Sequence, residues 1–425
     1  MLKAPRGTSD ILPPDTSKWI HLEDVLRHVA ARYSYEEVRT PTFEHAELFS
    51  RTVGEATDIV EKEMYVFKDK TGRDLALRPE GTAPVARAFV EHGMAHGALP
   101  RKFYYICPMF RYEKPQAGRF REHRQFGVEV LGSGSPYSDV EVILLAADVA
   151  KELGLLGTTL TLNSIGCSVC RAVYKKDLTK YLSARLDKLC PDCRSRLNRN
   201  PLRVLDCRQG LCREEVAGAP RMLDYLCDDC RTHWDEMTSI LIGLGLEYTV
   251  DHSLVRGLDY YTRTVFELKW PPLGAQSTLV GGGRYDRLVQ DIDGPPTPGV
   301  GFGMGMERIL LATAKGEKPI PGGTPLDVFV AGGKSETLDL PREVFSLVQD
   351  LRARGLSCDF DPLQRSLKAQ MKQADRAGAA FVAILGEDEI RGESVTVKSM
   401  KEGRQKSIAR TEIPAFCEEV RAHAE

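Results

Sequence analysis

Apolar residues recur along the chain with two different periods. Trp19, Leu22, Val25, Leu26, Val29, Ala30 and Tyr33 share one face at helical spacing and predict a helix over 17–33. The run EEVRT then predicts a strand that ends at the fixed bend of Pro41. Residues 65–68 and 74–78 predict a hairpin with Gly72 in its turn, and 83–92 a helix. Two longer strands follow, over 103–111 and 124–131, separated by the polar segment YEKPQAGRFREH. That arrangement predicts an antiparallel hairpin whose loop can reach over a ligand. A helix over 138–153, strands over 159–163, 248–255, 263–269 and 276–281, and a helix from Met306 complete this region. GGGRYDRL, 281–288, reads as a turn and helix start.

Residues 314–326, AKGEKPIPGGTPL, have the composition of a linker. Beyond them strands at 327–332, around SCDFD, at 379–386 and in SVTVKSM alternate with helices over 341–354 and 366–377, and a last helix spans 411–423. Such alternation predicts a small α/β domain with a partly parallel sheet. The segment 167–232 has its own composition and reads as an insertion.

The totals add constraints. A chain of 425 residues has room for two to four domains. Hydrophobic residues at 42% and charged residues at 28% are ordinary for a soluble protein. No apolar run approaches the roughly 18 residues that span a bilayer, and MLKAPRGTSDILPPD lacks the apolar core of a signal peptide, so the expected location is the cytoplasm. A net charge of −2 neither demands nor excludes a nucleic-acid partner.

Four stretches carry candidate chemistry. In LRPEGT, Arg78, Glu80 and Thr82 bracket a strand-to-helix turn, which on these residues alone reads first as a capped surface turn and second as a site. In 109–132, Arg111 and Glu113 end one strand, Arg119, Arg121 and Arg124 stud the loop, and Gln125, Gly127 and Glu129 share a face of the next strand. Glu129 on a core face would be a buried unpaired charge. On a pocket face, Gln125 and Glu129 become polar readers of a ligand, with an arginine at the mouth suited to phosphate. Gly299, Gly301, Gly303 and Gly305 alternate, so one strand face has no side chains and something flat, or another backbone, must lie there. A nucleotide ring stacked under Arg308 fits that face; tight strand–helix packing is the alternative. Finally, LVRGLDYYTRTVFE sets Arg256 at the edge of an apolar run, where a permanent charge needs an anion.

Together these stretches resemble the class II aminoacyl-tRNA synthetases. Residues 17–44, 109–129 and 299–309 look like motifs 1, 2 and 3, and LRPEGT, LVRGLDYYTRTVFE, RGTSDILP and GGGRYD resemble the histidyl-tRNA synthetase branch, bacterial type. The resemblance implies an α+β catalytic domain on an antiparallel sheet over 1–325, a mainly helical insertion within it at 167–232, and an anticodon-binding α/β domain over 326–425. It implies ATP-dependent activation of L-histidine, transfer to tRNA(His), Mg2+ on the phosphates and a homodimer. Arg256 then bridges the histidine carboxylate and the α-phosphate, which Arg111 holds from the other side. Glu113, Arg119, Arg121, Gly303, Gly305 and Arg308 serve ATP. Glu129 and Tyr261 take the two imidazole nitrogens, Tyr260 helps form the wall, and Glu80, Thr82 and Gln125 bind the α-amino group. The other reading within the resemblance is a non-catalytic regulatory subunit of ATP phosphoribosyltransferase. That relative lacks the C-terminal domain and carries a degraded form of the 254–267 stretch, whereas both are intact here.

Eight of the eleven cysteines lie between 167 and 230, as Cys167-x-x-Cys170, Cys190-x-x-Cys193, Cys207, Cys212 and Cys227-x-x-Cys230. By spacing, this is a structural-zinc signal with ligands for two four-cysteine sites. The resemblance weighs the other way, because the bacterial insertion is helical and folds without metal. Arg194, Arg196, Arg199, Arg203, Arg208 and Arg213 make the same segment basic, which the resemblance sets over the tRNA acceptor stem. A second basic cluster is Lys398, Lys401, Arg404, Lys406 and Arg410.

Overall fold

The computed structural model of the chain describes residues 2–55, 57–114, 118–320 and 326–424. Residues 115–117 of the expected ligand-covering loop and 321–325 of the expected linker lie outside this set. The chain divides into two compact units, Met1–Gly322 and Gly323–Glu425.

In the first unit the strands are, in chain order, β1 (Glu36–Glu37), β2 (Phe43–His45), β3 (Val66–Lys68), β4 (Asp74–Leu77), β5 (Arg101–Phe110), β6 (Glu122–Leu131), β7 (Thr159–Ser164), β8 (Tyr248–Val250), β9 (Thr262–Lys269), β10 (Thr278–Arg284) and β11 (Gly299–Gly305). Eight of them form one sheet in the order β1-β5-β6-β11-β10-β9-β7-β8, and β2-β4-β3 form a small second sheet. The large sheet is antiparallel except at its two edges, where β1 runs parallel to β5 and β8 parallel to β7.

One face of this sheet is covered by helices. The apolar stripe at the N-terminus forms α1 (Asp15–Arg32), and Leu22, Leu26, Val29 and Ala30 are buried in the main core with Phe126, Val128, Phe266 and Phe302 from the sheet. That face is therefore used internally. Two further helices, Pro136–Glu152 and Met306–Lys315, contribute to the same core. Between β7 and β8 the chain makes the insertion, which is helical: Ser168–Ser183, Pro191–Arg199, Leu202–Leu205, Gly210–Ala217 and Asp228–Gly243.

Two expectations need correction. The strand expected over 248–255 stops at Val250, because Asp251 takes the N–H of Ser253 (2.9 Å) and turns the chain. GGGR of 281–284 is not a turn: it is the end of β10, paired on both sides. Arg284 is fully buried there, yet satisfied. It binds Asp139 (2.8 Å), Asp286 (3.0 Å) and the carbonyls of Ser133 and Ser135, locking helix Pro136–Glu152 to the sheet.

The second unit is a five-stranded sheet in the order β13-β12-β14-β15-β16, where β12 is Val328–Gly332, β13 Cys358–Phe360, β14 Phe381–Leu385, β15 Ser394–Ser399 and β16 Gln405–Ala409. β12 is parallel to both neighbours and the remaining pairs are antiparallel. Strand β16, within the basic cluster, was not expected; only Ile408 of its five residues is buried, so it offers almost no apolar signal. Among the described residues no helix is long and apolar enough to cross a membrane.

Candidate active site

The glycine-stripped strand organises the site. A Cβ at Gly299 would strike the Tyr285 ring, at Gly301 the Glu129 carboxylate, and at Gly303 the Gln125 amide; only at Gly305 is there open space. Gly281 on β10 likewise makes room for the Arg256 guanidinium. Side chains of this chain thus cover most of the glycine face and leave less of it for the expected nucleotide ring. Three of the four glycines clear space for polar side chains of this chain, and Gly303 and Gly305 line the adjoining cavity.

Glu129 is 1% exposed. It is buried but not unpaired: Thr82 Oγ1 (2.7 Å) and Tyr105 OH (3.3 Å) donate to Oε1, and Tyr285 OH donates to Oε2. Burial pushes its pKa up to about 8, with the neighbouring Glu80 carboxylate adding to the rise and the donating hydroxyls opposing it. Glu80 is buried too. Its two oxygens accept the N–H groups of Thr82 and Ala83 (both 2.8 Å), so it caps helix Thr82–Glu91, and Tyr260 OH reaches it at 3.3 Å. The capped-turn reading of LRPEGT therefore holds together with a place in the pocket. Arg78 is taken up structurally, donating to the carbonyls of Pro108 and Thr40. Tyr260 and Tyr261 are both buried with rings 4.7 Å apart, and Tyr285 packs edge-on to Tyr260.

Beside this pocket lies a cavity of about 310 Å³. Five arginines line it, Arg111, Arg119, Arg208, Arg256 and Arg308, against three glutamates, Glu113, Glu267 and Glu307. Arg256 is not free: its Nη1 is 2.7 Å from Glu267 Oε1, while its Nε is buried without a partner. Burial works against the charge, but Tyr261 and Glu267 outweigh it and hold the pKa above the ordinary arginine value. Arg111 donates from Nε to Pro79 O (2.8 Å), and Arg308 from Nη1 to Thr278 O (2.8 Å). Arg119 pairs with Glu113 at 3.1 Å. Arg121 does not line the cavity; its guanidinium stacks on Tyr112, 3.8 Å from the ring centroid.

Several lining residues, Glu267, Glu307, His123 and Arg208 among them, were not singled out in the sequence as belonging to a cavity. Glu267 is the inward neighbour of Arg256 on β9, and alternation along that strand marks its face. His123 is kept neutral, its pKa pushed down to about 3 by burial and by Arg111 and Arg308. Arg208 belongs by sequence to the basic insertion, and nothing local marks it as a cavity residue. Four of its basic companions also have partners inside the chain: Arg194 with Leu189 O, Arg196 with Asp58, Arg199 with Glu61 and Arg203 with Arg256 O. As a solvated phosphate-binding face the insertion is accordingly weaker than its charge suggests. The eight cysteines converge in two groups, 167/170/227/230 and 190/193/207/212.

Chemically, a cavity richer in guanidinium than in carboxylate suits a polyanion, and a buried carboxyl ringed by hydroxyls suits a nitrogen heterocycle or an amine. A family model described as histidyl-tRNA synthetase matches residues 7–309, and one for an anticodon binding domain matches 327–420. The histidine–tRNA ligase of Halothermothrix orenii is 49% identical over 409 residues, 96% of each chain. That of Caldanaerobacter subterraneus subsp. tengcongensis is 49% identical over 415 residues, 97% of this chain and 98% of the relative. Among solved structures, apo histidyl-tRNA synthetase of S. aureus matches with a TM-score of 0.82 at 38% identity, over 98% of this chain and 99% of that one.

Proposed function

The chain belongs to the histidyl-tRNA synthetase family, and we propose that it activates L-histidine with ATP and transfers it to the 3′ end of tRNA(His) through the residues described above. It is a histidine–tRNA ligase by descent; the assignment of roles to residues is the proposal.

ATP occupies the arginine-lined cavity. Arg308 and the open backbone at Gly305, beside Gly303 under the Gln125 amide, receive the adenine, and Arg119 and Glu113 meet the outer phosphates. Histidine lies with its imidazole between Glu129 and Tyr261, against Tyr260, and with its ammonium toward Glu80, Thr82 and Gln125. Arg256 and Arg111 converge on the reacting centre. When the carboxylate attacks the α-phosphorus, negative charge spreads over the phosphoryl oxygens, and two guanidinium groups fixed beside them stabilise it without reorganising. Arg256 leaves Glu267 to do so, or shares its fork between both. Mg2+ travels with the triphosphate: Glu113, Glu267 and Glu307 are already held by Arg119, Arg256 and the Arg124 N–H, so these cavity carboxylates make no dedicated cage.

The C-terminal unit, matched by the anticodon-binding model, holds the other end of the tRNA, and the work takes place in the cytoplasm. A homodimer is supported by an apolar pair on one face of the small sheet, where Phe43 and Phe67 are 52% and 42% exposed with their rings 6.4 Å apart.

The observation that carries this reading is the convergence of Arg111, Arg256 and Arg308 on one cavity next to the buried Glu129. Histidine-dependent exchange of pyrophosphate into ATP tests it. Absence of exchange in folded protein would leave the non-catalytic regulatory reading.

A further inference from the structure

The cysteine-rich insertion has a geometry that the synthetic reaction does not require. Cys167 precedes helix Ser168–Ser183 and Cys170 lies in its first turn; Cys227 precedes helix Asp228–Gly243 and Cys230 lies in its first turn. The four sulfurs lie within 4.8 Å of one another, with Cys167 Sγ 3.5 Å from Cys170 Sγ and 3.9 Å from Cys227 Sγ. Cys190 caps helix Pro191–Arg199 and gathers Cys193, Cys207 and Cys212 within the same limit, its Sγ 3.9 Å from that of Cys207.

These separations discriminate among the states of a cysteine. A disulfide needs sulfurs about 2.05 Å apart, and all eight are free. A tetrahedral ion with metal–sulfur bonds of about 2.3 Å sets its ligands about 3.8 Å apart, which the measured pairs straddle. A cluster with bridging sulfides would hold them wider than these groups allow. Backbone N–H groups also point at the sulfurs: Cys227 N to Cys170 Sγ at 3.1 Å and Cys190 N to Cys212 Sγ at 3.2 Å. Donors aimed at sulfur support thiolates, the form a metal binds. Eight plain thiols, five buried and three half-buried, gathered in two groups of four beside helix N-termini, lack any such reason to converge.

We propose that the insertion holds two structural zinc ions, each bound by four cysteine thiolates, and that the second fixes Arg203 and Arg208 against the active site. The first ion clamps the root of the insertion, joining residues 60 positions apart just after β7. The second gathers the segment from 190 to 212, whose outward side chains grip the catalytic stretch. Asn200 donates to Asp259 (2.9 Å), Arg203 donates to Arg256 O (2.9 Å), and Arg208, next to Cys207, lines the nucleotide cavity. Zinc rather than copper or nickel follows from the tetrahedral all-sulfur donor set.

The test uses the full chain, purified under reducing conditions without chelators, reconstituted with zinc and freed of loose metal. Elemental analysis is expected to find about two zinc ions per chain, released by a thiol-specific mercurial. One ion or none, or iron in place of zinc, overturns the proposal. Cobalt substitution gives a second readout independent of any variant: thiolate-to-cobalt charge-transfer bands with tetrahedral d–d bands are expected, and an octahedral spectrum overturns it. For the second site, Cys207→Ser should lose one zinc and weaken ATP binding about 10-fold with histidine binding little changed. Loss of zinc with ATP binding intact overturns the coupling. This last arm rests on the nucleotide assignment above; the metal count does not, so the two can fail separately.

Discussion

Replacing Glu129 by Gln removes an ionisable carboxyl from the pocket floor while keeping its shape. Thr82, Tyr105 and Tyr285 still find an amide to bond, so the fold is retained. The first effect is on stability. In the folded chain the carboxyl titrates at about 8 instead of its ordinary 4.5. Because the folded value is the higher, its contribution is fully present below pH 4.5 and is lost as pH climbs through 8. The interval corresponds to roughly 5 kcal/mol at most. Ligand-free wild type should therefore lose a few kcal/mol relative to E129Q between pH 5.5 and pH 8.5, read from urea melts at both pH values. The second effect is on recognition. The glutamate and the imidazole, with an ordinary value near 6.5, share one proton in the complex. Below that interval there is one proton too many, above about 8 one too few. The kcat/KM for histidine should be bell-shaped in wild type. In E129Q the limb near 8 should vanish, leaving only the amino acid's own ammonium at higher pH. Loss of a charge-assisted bond of about 1.5–3 kcal/mol should raise the histidine KM on the order of 10- to 150-fold, with the ATP KM unchanged. An upper limb that survives in E129Q, or equal changes for both substrates, would refute the assignment.

Arg256→Ala should slow adenylate formation by about 10³-fold, the usual cost of one transition-state donor, with melting temperature little changed; near-normal pyrophosphate exchange would refute its role. Asp139→Asn leaves Arg284 buried beside one fewer charge and should cost about 3–5 kcal/mol in denaturant unfolding, with the remaining activity per folded molecule preserved. Phe43→Glu combined with Phe67→Glu should convert a dimer to monomers in sedimentation equilibrium if that patch is the self-association surface; an unchanged mass would move the interface elsewhere. Gly301→Ala should misplace Glu129 and raise the histidine KM, and a variant with wild-type KM would show the strand has slack that its contacts deny.

Much of the scaffold could be read before any coordinates. Periodicity located the first helix, the hairpin 101–131 and the β-α-β alternation of the second unit, because each buries one face and polar positions mark the other. It failed where burial gives no contrast: β16 is nearly all exposed, and GGGR has no side chains to show a period in its first three positions. Within the site, Glu80 entered only through the family resemblance, whereas Gln125 and Glu129 stood out because polar residues at strand spacing conflict with a core, and the arginines because they crowd one loop or sit where a charge needs an anion. Glu267 and His123 did not, since each lies on a strand of otherwise acceptable alternation. Arg208 was invisible for another reason: its place depends on how a helical insertion folds back between residues far apart in sequence. The question raised by Arg256 has a two-part answer, since Glu267 already balances a cation that the proposed chemistry also needs.

The bare face of β11 constrains how this catalyst can change. Tyr285, Glu129 and Gln125 lie against neighbouring backbone, so the amino-acid reader proposed above is as much an absence on one strand as a presence on the next. Retooling the enzyme for a different side chain cannot proceed one position at a time: a bulkier or shorter reader needs a matching alteration in the strand beneath it. Paired changes are rarer than single ones, which makes drift toward mischarging slow.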